Sequence, residues 1–92
     1  MALCAKIIIS GYVQGVGYRY FALKTAHALA ITGWVKNIAH GKVEVYAEGA
    51  KEQLDDFVVQ LKQGPFNSTV TDIDVTIFES EEKKFSDFRI TH

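Results

Sequence analysis

Hydrophobic residues recur with a period of two in some segments of the chain and with a helical period in others. An isoleucine-rich run over residues 5–13 predicts a first strand, because β-branched side chains pack well on a pleated surface. Residues 32–48 contain two strand-like runs separated by Gly41, which is the pattern of a β-hairpin. Alternation over residues 71–77 predicts a fourth strand, and residues 85–90 predict a short closing strand.

Helical spacing occurs in two segments. Residues 18–30 are mostly good helix formers, with apolar side chains three and four positions apart. Residues 51–63 carry the clearer amphipathic pattern, and Gly64 with Pro65 predicts where this second helix stops. Its apolar positions follow the i, i+3, i+4, i+7 series and are Leu54, Phe57, Val58 and Leu61.

The resulting order of elements is β-α-β-β-α-β, with a short fifth strand as an addition. This order predicts an α+β, ferredoxin-like α/β sandwich, in which two helices cover one face of an antiparallel sheet. The chain contains no internal repeat, linker or low-complexity tract. We therefore expect residues 1–92 to form one domain around one core.

Composition narrows the class of protein. Ten basic against eleven acidic residues give a net charge of −1, whereas a nucleic-acid module more often has a broad basic face. The single cysteine, Cys4, excludes an intramolecular disulfide and a multi-cysteine metal site. The chain has no apolar run long enough to span a membrane, and its start resembles a strand more than a signal peptide. These features predict a cytoplasmic protein with neither a membrane nor a nucleic-acid partner, and nothing in the sequence demands more than a monomer.

The stretch GYVQGVGYR, residues 11–19, lies between the first strand and the first helix. Gly15 and Gly17 can adopt positive φ, which lets successive N–H groups converge on one point at the positive end of the helix dipole. Arg19 falls in the first helical turn, and its planar guanidinium suits phosphate or carboxylate. The stretch matches neither a P-loop nor GxGxxG. It therefore predicts either an anion site or a tight turn with a surface arginine.

Asn37 is the second candidate, because it ends one hairpin strand just before the turn. Its amide can donate and accept at once and could hold a water molecule by two contacts. Asparagine also favours turns for local reasons, so the position by itself leaves both interpretations open.

The segments GYVQGVGYRYFA, GWVKNIAHGKVEVYAEG and GPFNSTVTDIDV together resemble the acylphosphatase family, over a range from about Ile8 to Ile90. The resemblance implies a metal-independent, cofactor-free hydrolase that converts small acyl phosphates to a carboxylate and inorganic phosphate. It implies that Arg19 binds the phosphoryl group and that Asn37 positions the attacking water. It also implies a loop whose backbone N–H groups bind the phosphate, consisting of Gln14, Gly15, Val16, Gly17, Tyr18 and Arg19.

Two positions depart from the family pattern. Tyr18 stands where phenylalanine is more usual, which adds a hydroxyl that needs a partner. His40 stands where the hairpin turn commonly has aspartate or asparagine, which leaves the turn geometry in question. The remaining histidines, His27 and His92, are too scattered to predict a metal site, and His92 is expected to be a frayed terminus.

Two alternative functions remain open. One is a module of the same fold that holds phosphate or carboxylate without turnover. The other is a small RNA-binding domain with Tyr46 as a stacking platform, which would require exposed aromatics on a basic surface. Glu44 and Glu48 are predicted on the same face as Tyr46 and argue against RNA.

Overall fold

A computed structural model describes residues 2–92, so Met1 of the predicted domain 1–92 lies outside the described residues. Five strands and two helices follow one another, and a single 3₁₀ turn at residues 39–41 joins the hairpin strands. The elements are β1 (Ala2–Tyr12), α1 (Tyr18–Ala28), β2 (Thr32–Ile38), β3 (Lys42–Glu48), α2 (Lys51–Gln63), β4 (Thr69–Ser80) and β5 (Phe88–Ile90). Neither helix within residues 2–92 has the length and apolar character that a membrane crossing requires.

The strands form one sheet in the order β4-β1-β3-β2-β5. Three of its pairings are antiparallel, namely β1 with β3, β1 with β4, and β2 with β3. The predicted β-α-β-β-α-β order and the antiparallel four-stranded sheet are therefore confirmed. β5 adds a pairing whose direction the sequence did not predict, because it runs parallel to β2 and makes the complete sheet mixed.

Both helices pack on the same face of the sheet. Alternate residues of the two central strands point into this layer and are fully buried, as their period of two predicts. Phe57 of α2 meets the ring of Phe88 edge-on at 5.9 Å, which ties the second helix to the short fifth strand. Burial of each such aromatic side chain is worth about 1.5–3 kcal/mol. The buried residues that form this core include Ala5, Ile7, Ile9, Val35, Val43, Val45, Ala47, Ala22, Ala26, Leu54, Phe57, Leu61 and Phe88.

No helix of residues 2–92 covers the opposite face of the sheet. Glu44 lies there between two lysines, 4.0 Å from Lys6 and 3.9 Å from Lys36. Tyr46 is also on this face but is only 8% exposed, because the rings of Trp34 and Phe85 pack against it. The exposed aromatic platform that RNA binding requires is therefore not present at Tyr46.

Candidate active site

The loop between β1 and α1 owes its shape to two glycines. Gly15 and Gly17 have φ angles of 77° and 78°, in the left-handed region, as the sequence predicts. A β-carbon at either position would meet no atom within 4 Å. The glycines are therefore required by backbone conformation and not by crowding.

The backbone N–H groups of this loop remain available. Within residues 2–92, none of the turn, loop and cap hydrogen bonds between backbone atoms has a donor in residues 14–18. Gly17 is the N-cap of α1, makes no side-chain cap bond, and is followed by no acidic residue in the first turn. Unpaired donors and the positive end of the helix dipole thus coincide, which favours an anion at this point.

Arg19 lies in the first turn of α1 and lines a cavity of about 410 Å³ beside the loop. None of the ion pairs formed among residues 2–92 involves Arg19, so no side-chain carboxylate neutralises its guanidinium. The cavity is lined by Gly15, Gly17, Tyr18, Arg19, Tyr20, Ile90 and His92. Two loop glycines, Gly15 and Gly17, and the arginine therefore line the same cavity.

His92 contacts this cavity, although the sequence predicted it as a frayed terminus. Its Nδ1 atom lies 3.3 Å from Nη1 of Arg19. Since the guanidinium has only donors, the imidazole must present an unprotonated Nδ1 for this to be a hydrogen bond. No local pattern could have indicated the contact, because 73 positions separate the two residues.

A larger groove of about 650 Å³ lies between the two helices. Its lining carries one cation, Lys24, and one carboxylate, Asp56, with apolar side chains such as Phe21 and Val59. It includes no residue of the glycine loop. The smaller cavity at Arg19 is therefore the candidate anion site.

Asn37 is near the turn end of β2, paired with Val43 of β3. Because side chains alternate along a strand, it shares the helix-covered face with the buried Val35. Its Oδ1 atom is buried and accepts no hydrogen bond from any donor among residues 2–92. Buried polar atoms are nearly always partnered, so this amide oxygen, like the buried Oε1 of Gln53, is able to accept a hydrogen bond from a bound molecule.

The other loop residues anchor the site. Gln14 is half-buried and its side chain reaches the hairpin, while Val16 packs against the core. The Tyr18 ring is buried, and its hydroxyl donates to the Leu61 carbonyl oxygen at 2.6 Å. That carbonyl lies in the last turn of α2, where intrahelical donors run out. The family departure at Tyr18 thus has a partner, and burial raises the pKa of the Tyr18 hydroxyl.

His40 adopts a left-handed conformation in the hairpin turn, with φ 66° and ψ 29°. Aspartate and asparagine tolerate this region better than most residues, because their short polar side chains form local hydrogen bonds. The turn therefore has the geometry for which those residues are suited, and histidine occupies it at some cost.

The fold and the cavity together define a ferredoxin-like protein with a candidate anion site at the N-terminus of α1. The sequence model of the acylphosphatase family matches residues 5–90, and the chain belongs to that family. It is 42% identical to the acylphosphatase of Acaryochloris marina over 87 residues, 95% of this chain and 88% of the relative. It is 48% identical to that of Bacillus subtilis over 77 residues, 84% and 85% of the two chains.

Solved structures agree with these sequence matches. The crystal structure of acylphosphatase from Bacillus subtilis superimposes with a TM-score of 0.94 at 43% identity, covering 98% of this chain and 99% of that one. Full-length HypF in its phosphate- and nucleotide-bound form matches with a TM-score of 0.88 at 30% identity, over all of this chain and 12% of that one. The predictions of the family and of an acylphosphatase enzyme are confirmed.

Proposed function

We propose that this protein hydrolyses small acyl phosphates by in-line attack of a water molecule, without a metal ion or cofactor. In this proposal Arg19 and the backbone N–H groups of residues 14–19 hold the phosphoryl group. Asn37 positions the water. The reaction class is supported by the family to which the chain belongs. The role of Arg19 is supported by its place in the cavity lining, which among the described residues does not include Asn37. The role of Asn37 is supported by its buried Oδ1 atom.

The buried Oδ1 atom of Asn37 is the observation that carries the proposal. It is a hydrogen-bond acceptor with no partner among the described residues, on the face of the sheet that α1 covers. A water molecule that donates to it keeps a lone pair free for attack on phosphorus. The cost of an unpartnered buried acceptor, about 1–3 kcal/mol, makes a purely structural role for this amide unfavourable.

The chemistry requires positioning and charge stabilisation more than a strong base. A bond forms between the water oxygen and phosphorus, and the bond from phosphorus to the acyl oxygen breaks with its electron pair on the departing carboxylate. A carboxylate is a weakly basic leaving group, so the departing oxygen needs no proton. In the proposal a phosphate oxygen accepts the proton of the water. Charge on the phosphoryl oxygens is stabilised by Arg19 and the loop, which suits the loose transition state of phosphoryl transfer.

The test follows loss of benzoyl phosphate in excess EDTA. Arg19→Gln should lower kcat/KM by at least 10²- to 10³-fold, about the effect of losing one preorganised donor. Asn37→Ala should lower kcat more than it raises KM. Arg89→Gln and Asn67→Ala make the same chemical changes at exposed positions and should retain wild-type rates.

Three outcomes would contradict parts of the proposal. Phosphate binding without turnover by the wild type would favour a binding module of the same fold. Loss of activity in EDTA would reject the metal-free mechanism. Equal losses of kcat/KM in Arg19→Gln and Arg89→Gln would mean that Arg19 has no specific role in binding the phosphoryl group.

We also propose that residues 1–92 act as one domain, as a cytoplasmic monomer with no nucleic-acid partner. One contiguous cluster of buried residues supports the single domain. The net charge of −1 and the covered ring of Tyr46 argue against binding RNA. Sedimentation measurements at several concentrations test the monomer, and RNA retention at physiological salt would reject the last claim.

A further inference from the structure

The side chain of Gln14 connects the glycine loop to the hairpin. Its Nε2 atom donates to two backbone carbonyl oxygens, of Ile38 and of Lys42, each at 2.9 Å. These two residues form the last cross-strand pair of β2 and β3. The next pair along the ladder is Asn37 with Val43. The Gln14 amide is therefore hydrogen-bonded to the last residue pair of the hairpin, immediately beside Asn37.

The chemistry of the contact specifies glutamine. A primary amide carries two N–H donors, and both are directed here at carbonyl oxygens. Because carbonyl oxygens only accept, the nitrogen side of the amide must face them, and the orientation of the group is determined by its partners. Glutamate would place oxygen against oxygen at both contacts. An apolar side chain of the same length would leave the carbonyls without this donor.

The two halves of the proposed site lie on different elements. The phosphate donors belong to the loop before α1, whereas Asn37 belongs to β2. Val13 and Val16 hold the loop to the core through apolar contacts. Such contacts keep the loop against the core but do not fix its orientation, because they are not directional. The Gln14 amide adds directional bonds from the loop to the hairpin, across 24 and 28 sequence positions.

We infer that Gln14 is a positioning residue, which sets the distance between the phosphate loop and Asn37 through the bonds of its amide to Ile38 and Lys42. This inference rests on the proposed function, because it concerns the same phosphate and the same water. The role of the side chain is separate from that of the Gln14 backbone N–H. A phosphorus atom on the loop and a water on Asn37 react only when they are held in line at close range. A shift of about 1 Å at such a site can lower the rate about 100-fold.

A double-mutant cycle on Gln14 and Asn37 tests the inference. Gln14→Met, Asn37→Ala and the double variant are compared with the wild type for hydrolysis of benzoyl phosphate in EDTA. Gln14→Met should lower kcat about 10- to 100-fold in the wild-type background. In the Asn37→Ala background the same Gln14→Met change should alter kcat by less than about threefold, because the amide that positions the water is already absent. Gln63→Met, at an exposed position of α2, is the matched control and should leave kcat unchanged.

Inhibition by inorganic phosphate separates positioning from damage to the loop. We expect the inhibition constant of phosphate to change less than about threefold in Gln14→Met while kcat falls, since the loop donors remain. Equal factors in the two backgrounds would overturn the inference, and so would parallel losses of phosphate binding and kcat. If the methionine variant does not fold, Gln14→Asn provides the same cycle, because its shorter amide cannot reach both carbonyls.

Failure of this inference is distinguishable from failure of the proposed function. An inactive wild type, or an Asn37→Ala variant with full activity, rejects the proposed function and the role of Gln14 with it. An active wild type that loses activity in Asn37→Ala but gives an additive cycle rejects only the role of Gln14.

Discussion

Asn37 and Glu48 lie near opposite ends of the β2–β3 hairpin, and their surroundings differ. Glu48 is 1% exposed, and its carboxylate accepts four hydrogen bonds. The donors are the Thr32 hydroxyl, the Tyr46 hydroxyl and the backbone N–H groups of Lys84 and Phe85. At the other end, the buried Oδ1 atom of Asn37 accepts none within residues 2–92.

The difference separates two uses of a buried polar group. At Glu48 every contact is internal, and the carboxylate holds the β4–β5 loop over the open face of the sheet. At Asn37 the buried oxygen accepts no bond from another residue within 2–92, which is consistent with the water site that we propose. A partnered buried group stabilises the fold, whereas an unpartnered one is able to accept a bond from a bound molecule. The following predictions test this contrast.

Asn37→Ala should have the largest effect, and on activity alone. We expect kcat to fall about 10²- to 10³-fold, equivalent to about 3–4 kcal/mol of transition-state stabilisation, since one preorganised group is lost. The free energy of unfolding should not decrease by more than about 0.5 kcal/mol, because the Oδ1 atom contributes no internal bond. Urea denaturation and steady-state kinetics on the same samples measure both. A loss of stability as large as the loss of activity would remove the contrast with Glu48.

Glu48→Gln should have the opposite signature. The amide keeps the shape of the side chain but turns an N–H₂ group toward a backbone N–H, so we expect a loss of about 2–3 kcal/mol in unfolding free energy. Where both proteins are folded, kcat should stay within about twofold of wild type. Glu44→Gln, on the same strand and face, is the control and should cost less than about 1 kcal/mol, because its lysine contacts are long. A selective loss of kcat in Glu48→Gln would contradict a structural role.

Tyr18→Phe should have a smaller effect, about 1–2 kcal/mol in unfolding free energy, because the Leu61 carbonyl loses its donor. Phenylalanine keeps the buried ring, so the core should not repack. Thermal unfolding at pH 7 measures the loss. Unchanged stability would mean that the Leu61 carbonyl obtains another donor, and that the bond contributes little.

Alkaline pH provides a second measurement on the same variant. Burial raises the pKa of Tyr18, and burial followed by the bonds to Cys4 and Glu48 raises the pKa of Tyr46. The unfolded chain ionises its tyrosines near pH 10, while these two stay protonated in the folded state. The contribution of these two hydroxyls to the free energy of unfolding should therefore be fully present below about pH 10 and be lost as the pH rises above it. Tyr18→Phe should show a shallower decline than the wild type, and an identical slope would contradict the shift at Tyr18.

His40→Asn should have the smallest effect, a gain of less than about 1 kcal/mol. The turn holds residue 40 at a φ of 66°, and asparagine adopts this region at lower cost than most residues. A small rise in melting temperature with unchanged kcat is expected. A destabilised variant would mean that the imidazole makes a contribution which outweighs the backbone cost.

Much of the fold follows from local patterns. The amphipathic spacing of Leu54, Phe57 and Leu61 predicted α2 and its buried face, because a helix brings these positions together whatever it packs against. The glycines at positions 15 and 17 predicted the left-handed loop for the same local reason. The roles of the site residues were predicted from the resemblance to a family, because no local pattern relates the glycine loop to Asn37.

Other features required the folded chain. Alternation placed Glu48 correctly on the face without helices, but its burial depends on a loop more than thirty positions away. The parallel pairing of β5 with β2 involves only three residue pairs and has no counterpart in the strand pattern. The contact of His92 with Arg19 was missed for the same reason.

The sequence by itself determined the elements, their order, the left-handed glycine loop and the family, since each depends on residue type at short spacing. The tertiary structure alone decided which polar atoms are satisfied. The Gln14 amide bonds to two hairpin carbonyls and the Glu48 carboxylate accepts from four donors, whereas the Asn37 oxygen has no donor within residues 2–92. Hydrogen bonding depends on ångström distances between distant segments, and those distances are set only when the core packs.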